Sequence, residues 1–116
     1  MIKVIIAGGR DFDDFNKLCK VCDEFLQNHS NIEIVSGAYK GADLLGERYA
    51  AERNYPIKQF PADWKRYRKS AGHKRNAEMA AYADVLIAFW DGKSKGTKHM
   101  IELATQTGLK VNVFYF

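Results

Sequence analysis

The stretch Asp84-Val85-Leu86-Ile87-Ala88-Phe89-Trp90-Asp91-Gly92-Lys93-Ser94-Lys95-Gly96-Thr97 decides the fold. Its first half, VLIAFW, is an unbroken apolar run, which predicts a strand buried on both faces. Its second half is a glycine-rich turn. Residues 98–106 then predict a helix, with Thr97 as N-cap and Gly108 as its stop. A buried strand, a glycine turn and a helix in succession make half of a β-α-β unit, the building block of a parallel sheet.

The same unit recurs outward from this stretch. Residues 2–7 (IKVIIA) form a β-branched apolar run that stops at Gly8-Gly9, a first strand. Phe15, Leu18, Cys22, Phe25 and Leu26 recur at three- and four-residue spacing, predicting an amphipathic helix over 15–29 with Asp13 or Asp14 as its cap. Residues 32–35 are a second strand broken by Ser36-Gly37, and 43–54 are helix formers. A third strand spans 57–60 after Pro56. Residues 64–82 predict a loop or short helix, interrupted at Gly72, then a longer helix opened by Arg75. Residues 110–116 alternate and are β-branched and aromatic, a fifth strand. Strands alternating with helices, joined by right-handed crossovers, predict an α/β fold. It is a three-layer Rossmann-like domain, with a parallel sheet of about five strands and helices on both faces.

Composition agrees with one such domain over residues 1–116. Of the residues 47% are hydrophobic and only 2 are Pro, which excludes a disordered or low-complexity chain. Two cysteines are too few for a disulfide scaffold. No signal-like leader and no apolar run of the ~20 residues needed to span a bilayer is present, so a cytoplasmic protein without a membrane partner is expected.

In an open parallel sheet, ligands bind beyond the carboxyl ends of the strands. Three loops at that edge carry glycine and a cation: Gly8-Gly9-Arg10-Asp11, Ser36-Gly37-Ala38-Tyr39-Lys40-Gly41-Ala42-Asp43, and Asp91 to Thr97. Glycine lets backbone approach a phosphate, and the helix start that follows adds positive partial charge. The plainer alternative is that the glycines serve tight turns. Neither GxGxxG nor GxxxxGK[ST] occurs, which disfavours a standard dehydrogenase or NTPase.

Residues 65–75 hold six basic side chains (Lys65, Arg66, Arg68, Lys69, Lys74, Arg75) and no acid, beside Trp64 and Tyr67. That combination suits single-stranded nucleic acid or a nucleotide, or is a solvated face. Of these six, sequence position aims only Arg75 at the glycine edge. Outside this segment and Lys93, Lys95 and Lys98, the chain has 9 basic and 14 acidic residues, so its formal charge of +4 comes from two cationic segments. Cys19 and Cys22 fall on or beside the apolar stripe of the first helix and read as core. His29, His73 and His99 are isolated in sequence, and no metal site or separate cofactor is expected.

Five motifs then carry a family resemblance: Gly8-Gly9-Arg10-Asp11-Phe12, Ser36 to Asp43, Pro61-Ala62-Asp63-Trp64, Arg75-Asn76-Ala77-Glu78-Met79, and Phe89 to Thr97. Taken in order over nearly the whole chain, they resemble the YspA-type, YpsA-related branch of the SLOG superfamily, whose members occur in bacteria and phages. The resemblance implies a Rossmann-like fold and a nucleotide-derived ligand of the NAD or ADP-ribose kind. Relatives include the lysine-decarboxylase-like phosphoribohydrolases, DNA-processing DprA proteins and anti-phage sensor domains, and they commonly form dimers or larger assemblies.

The phosphoribohydrolases carry PGGxGTxxE. Its Gly-Thr aligns with Gly96-Thr97, but Met100 stands where the catalytic Glu would be. Glu102 lies about 200° further round the helix.

The ligand-binding residues expected are Gly8, Gly9, Arg10, Ser36, Gly37, Lys40, Gly41, Asp43, Arg75, Asn76, Trp90, Asp91, Gly96 and Thr97. The glycines and Thr97 would supply N–H groups or close approach, and Arg10, Lys40 and Arg75 charge. Asp43 would cap a helix or, like Asp91, accept a ribose hydroxyl. Trp90 would stack on a base or close a buried strand end. If the protein is a nucleotide N-glycosidase, Asp11, Asp43, Asp63 and Asp91 are the available carboxyls, with Asp43 and Asp91 the first candidates. The partner expected is a nucleotide-derived small molecule, with nucleic acid at the 64–75 segment as the alternative and a homo-oligomer as the assembly.

Overall fold

The computed structural model describes residues 1–116. Strands β1 (Ile2–Gly8), β2 (Ile32–Ser36), β3 (Ile57–Gln59), β4 (Val85–Trp90) and β5 (Lys110–Tyr115) form one sheet in the order β3-β2-β1-β4-β5. Every pairing is parallel, and Ile5 lies between Val35 on β2 and Leu86 on β4. The α/β, Rossmann-like three-layer fold expected from the apolar runs is therefore the fold observed.

Because successive side chains of a strand face opposite ways, a strand that is apolar throughout builds two cores at once. Val4, Ile6, Ile34, Ile87 and Phe89 face helices α1 (Phe15–Leu26) and α2 (Ala42–Glu52), with Leu18, Cys22 and Tyr49. Ile5, Ala7, Val35, Leu86 and Ala88 face helices α4 (Ala71–Tyr82) and α5 (Lys95–Thr107), with Met79 and Met100. Each fully buried Ile or Leu contributes about 1.5–3 kcal/mol, so these central strands leave no room for a polar face. Cys22 is buried in the first of these cores and Cys19 packs beside it, both as free thiols.

The order of strands positions the site. From β1 the chain works outward to β2 and β3, then crosses to β4 on the other side of β1 and ends at β5. The loops after β1 and β4 leave neighbouring strand ends toward opposite faces, which opens a crevice there.

Several boundaries differ from the sequence expectation. Helix α1 stops at Leu26 instead of residue 29, because Gln27, Asn28 and His29 are exposed and bring no apolar contact. Helix α2 ends at Glu52 instead of 54, where Asn54 turns left-handed at φ +59°. Helix α4 opens at Ala71, not at Arg75, because Gly72 sits in its first turn, where a glycine interrupts little. A short helix α3 (Trp64–Tyr67) and one 3-10 turn (Arg68–Ser70) precede it. Helix α5 opens at Lys95 with Ser94, not Thr97, as N-cap: the Ser94 hydroxyl accepts from the Thr97 N–H, and Thr97 itself is buried. No helix is long and apolar enough to cross a membrane.

Candidate functional site

The crevice between the ends of β1 and β4 deepens into a cavity of about 540 Å³ lined by 20 residues. That volume lies within the range of small-molecule sites. Its floor is Ala7, Met79 and Met100, all buried. Four cations, Arg10, Lys69, Arg75 and Lys93, and three carboxylates, Asp11, Asp43 and Asp91, stand on its walls. Of the residues named from sequence, Gly8, Gly9, Arg10, Asp43, Arg75, Asn76, Asp91, Gly96 and Thr97 meet here, whereas Ser36, Gly37, Lys40, Gly41 and Trp90 do not line it.

The three glycine loops divide the work. Gly41 has φ +79°, and a Cβ there would sit 2.3 Å from the Gly9 carbonyl oxygen. That carbonyl accepts the Ala42 N–H at 3.3 Å, so the start of α2 is docked on the β1 loop. Gly41 is thus a packing glycine. Gly37 is another, since its missing Cβ leaves space for Arg75 Nη1 and Asp43 Oδ2, each 2.7 Å from that point.

Gly96 differs from both. It lies in the first turn of α5, lines the cavity, and has nothing within 4 Å of where a Cβ would stand. In that turn Ser94 accepts from the Thr97 N–H with its hydroxyl and from the Lys98 N–H with its carbonyl. The N–H groups of Lys95 and Gly96 have no intrahelical acceptor, and the helix dipole adds positive partial charge at the same place.

Around Ser36, which does not line the cavity, hydrogen bonds build the second loop. The Ser36 hydroxyl accepts from the Ala38 N–H at 3.0 Å and donates to Glu47 Oε2 at 2.7 Å. Ala38 is held left-handed at φ +57°, and Tyr39 donates its N–H to Asp43 Oδ2 at 3.2 Å. Burial pushes the Asp43 carboxyl up to about 6, against the lowering effect of the nearby Arg75 and the Tyr39 N–H. Asp43 and Arg75 form no ion pair. Arg75 donates from Nη1 to the Gly37 carbonyl at 2.6 Å and from Nε to Asn76 Oδ1 at 3.0 Å. Three of its five N–H groups remain for a ligand.

The other carboxyls have local duties. Asp91 accepts from the Lys93 and Ser94 N–H groups, both at 2.8 Å, and these bonds hold its carboxyl below its ordinary range. Asp63 caps α3 through the Arg66 N–H. Asn76 is buried and donates from Nδ2 to the Gly96 carbonyl at 3.3 Å, facing His99 Nδ1 at 3.1 Å. His99 stacks on His73, ring centres 3.8 Å apart, and burial together with His73 lowers its pKa. Met100 is buried on the cavity floor, while Glu102 is exposed outside it.

Trp90 donates its indole N–H to the Ser94 carbonyl at 3.0 Å and leans on Tyr115, so it clamps the β4 loop. The aromatics on the cavity are Tyr39, Trp64 and His73. In the basic segment Lys69 joins Arg75 on the cavity, whereas Arg66 and Lys74 lie over the Tyr67 ring. Sequence position alone did not bring Trp64, Lys69 and His73 to the site. The signal was their nearness to Arg75, which becomes spatial only because the chain folds back through α3.

A parallel α/β domain with a polar crevice at the reversal of its strand order is the architecture of a Rossmann-like ligand-binding protein. The profile of the YspA, cpYpsA-related SLOG family matches residues 2–67. The Gene 61 protein of Mycobacterium phage D29 is 35% identical over 118 residues, which cover 96% of this chain and 94% of that protein. The chain belongs to the YspA, cpYpsA-related SLOG family.

Proposed function

We propose that the protein binds a nucleotide-derived small molecule, with its phosphate against the start of α5 and the Gly8–Arg10 loop. The observation that carries this reading is Gly96: it has open space in front of it at a helix start, with uncapped N–H groups beside it and Arg10 and Lys93 on the same cavity. A phosphate gains both the helix dipole and the backbone donors at such a place. The mixture of cations with Asp11 and Asp43 suits a ligand that has hydroxyls as well as charge. Family membership supports a nucleotide-related role in broad terms.

Adding AMP, ADP-ribose and NAD separately to the purified protein tests this, with melting temperature and calorimetry as readouts. At least one raises the melting temperature, and Arg10→Ala reduces the effect about tenfold in affinity or more. If none shifts the native protein, the reading fails.

A second reading, cleavage of an N-glycosidic bond in that ligand, is favoured by Asp43, a buried carboxyl on the cavity wall with a pKa of about 6. A carboxyl that titrates near neutrality is suited to proton transfer. Release of free base during incubation, lost in Asp43→Asn, supports hydrolysis; intact ligand recovered from a tight complex supports sensing.

A further inference from the structure

We propose that Trp64 is the base-stacking residue of this site, so that the ligand lies with its phosphate at the start of α5 and its aromatic base on the Trp64 indole. The inference rests on the nucleotide reading and adds an orientation and a chemical requirement to it. Trp64 is 52% exposed although it is one of the largest apolar side chains, and it lines the cavity. Asp63 caps the helix that carries it, and its Cη2 lies 3.6 Å from where a Gly72 Cβ would be.

Arg75 Nη2 lies 4.0 Å from that same point, so the indole and the guanidinium adjoin one spot over the first turn of α4. The floor offers little to a base, because Met79 and Met100 are 2% and 1% exposed. Trp90 does not line the cavity, and its indole is engaged with the Ser94 carbonyl and the Tyr115 ring. An exposed indole beside a cation, on the same cavity as Arg10 and the open start of α5, suits a ligand that carries a base, a sugar and a phosphate.

The test compares native protein, Trp64→Ala and Trp64→Phe, with AMP, ADP-ribose, NAD and ribose 5-phosphate as probes. Trp64→Ala binds the tightest of the three base-containing probes about 5- to 150-fold more weakly. It keeps the native melting temperature within a few degrees, because the side chain is exposed. Ribose 5-phosphate, which has no base, binds native and Trp64→Ala alike. Indole fluorescence of the native protein changes on nucleotide binding, and the change disappears in Trp64→Phe, whose remaining indole is Trp90. Trp64→Ala affinity within twofold of native, or a fluorescence change that persists in Trp64→Phe, overturns the stacking role while nucleotide binding stands. Failure of every probe to bind the native protein overturns both.

Discussion

Arg75 reaches from helix α4 to the Gly37 carbonyl, 2.6 Å away, and so fastens the loop after β2 to the opposite face of the sheet. The reach depends on the bare Cα at Gly37. An Ala there brings a methyl within 2.7 Å of both Arg75 Nη1 and Asp43 Oδ2. Both atoms are side-chain ends that can move aside, so Gly37→Ala is expected to cost mainly the Arg75–Gly37 hydrogen bond, about 0.5–1.5 kcal/mol. Urea unfolding measures it, and a variant as stable as native contradicts the tether.

Gly41→Ala has a larger expected cost. The position combines φ +79° with a backbone carbonyl 2.3 Å from the added methyl, and that carbonyl belongs to the loop on which α2 is docked. A loss of more than about 2 kcal/mol follows from the left-handed backbone and the clash together. The same unfolding experiment reads it, with Gly108→Ala as comparison: that glycine is left-handed too, but has nothing within 4 Å of its Cβ position. Gly41→Ala should be clearly the worse of the two.

Asp43 makes stability depend on pH in an unusual direction. Its folded pKa of about 6 lies above the unfolded value of 3.8, so the folded protein holds that proton more tightly. Stability from this group is present below pH 3.8 and is lost as pH rises through about 6. His99 acts oppositely: its pKa is depressed, so stability falls as pH drops through the ordinary imidazole value of 6.5. Between pH 4 and 6, native protein should lose up to about 3 kcal/mol relative to Asp43→Asn, whose amide oxygen can still accept the Tyr39 N–H. Parallel stability curves for the two proteins contradict the assignment.

Much of the fold was legible because burial on both faces writes itself as unbroken apolar runs. IKVIIA and VLIAFW cannot alternate, and Ile5 and Ile6 indeed enter opposite cores. Helix starts were less legible: Ser94 and Thr97 are both good N-caps, and the choice fell to Ser94 through the turn that Asp91 organises. The lining of the cavity was legible where glycine loops follow strands, as at Gly8, Gly9 and Gly96. It was not legible where packing decides, since Gly37 and Gly41 look like Gly96 in sequence yet sit in the contact between loops and do not line the cavity. That Trp64 and not Trp90 lines the cavity was hidden for the same reason. Both sit near glycine-edge motifs, and only the position of α3 over Gly72 tells which indole faces the cavity.

Gly96→Ala tests the central claim most directly, because the added methyl projects into open space at the start of α5. The fold should be as stable as native or more so, by up to about 1 kcal/mol, since Ala is the better helix former. Calorimetric titration with the tightest of AMP, ADP-ribose and NAD should then show affinity reduced about tenfold or more, the methyl standing where the phosphate meets the helix. A variant that binds as tightly as native contradicts an anion site at the first turn of α5.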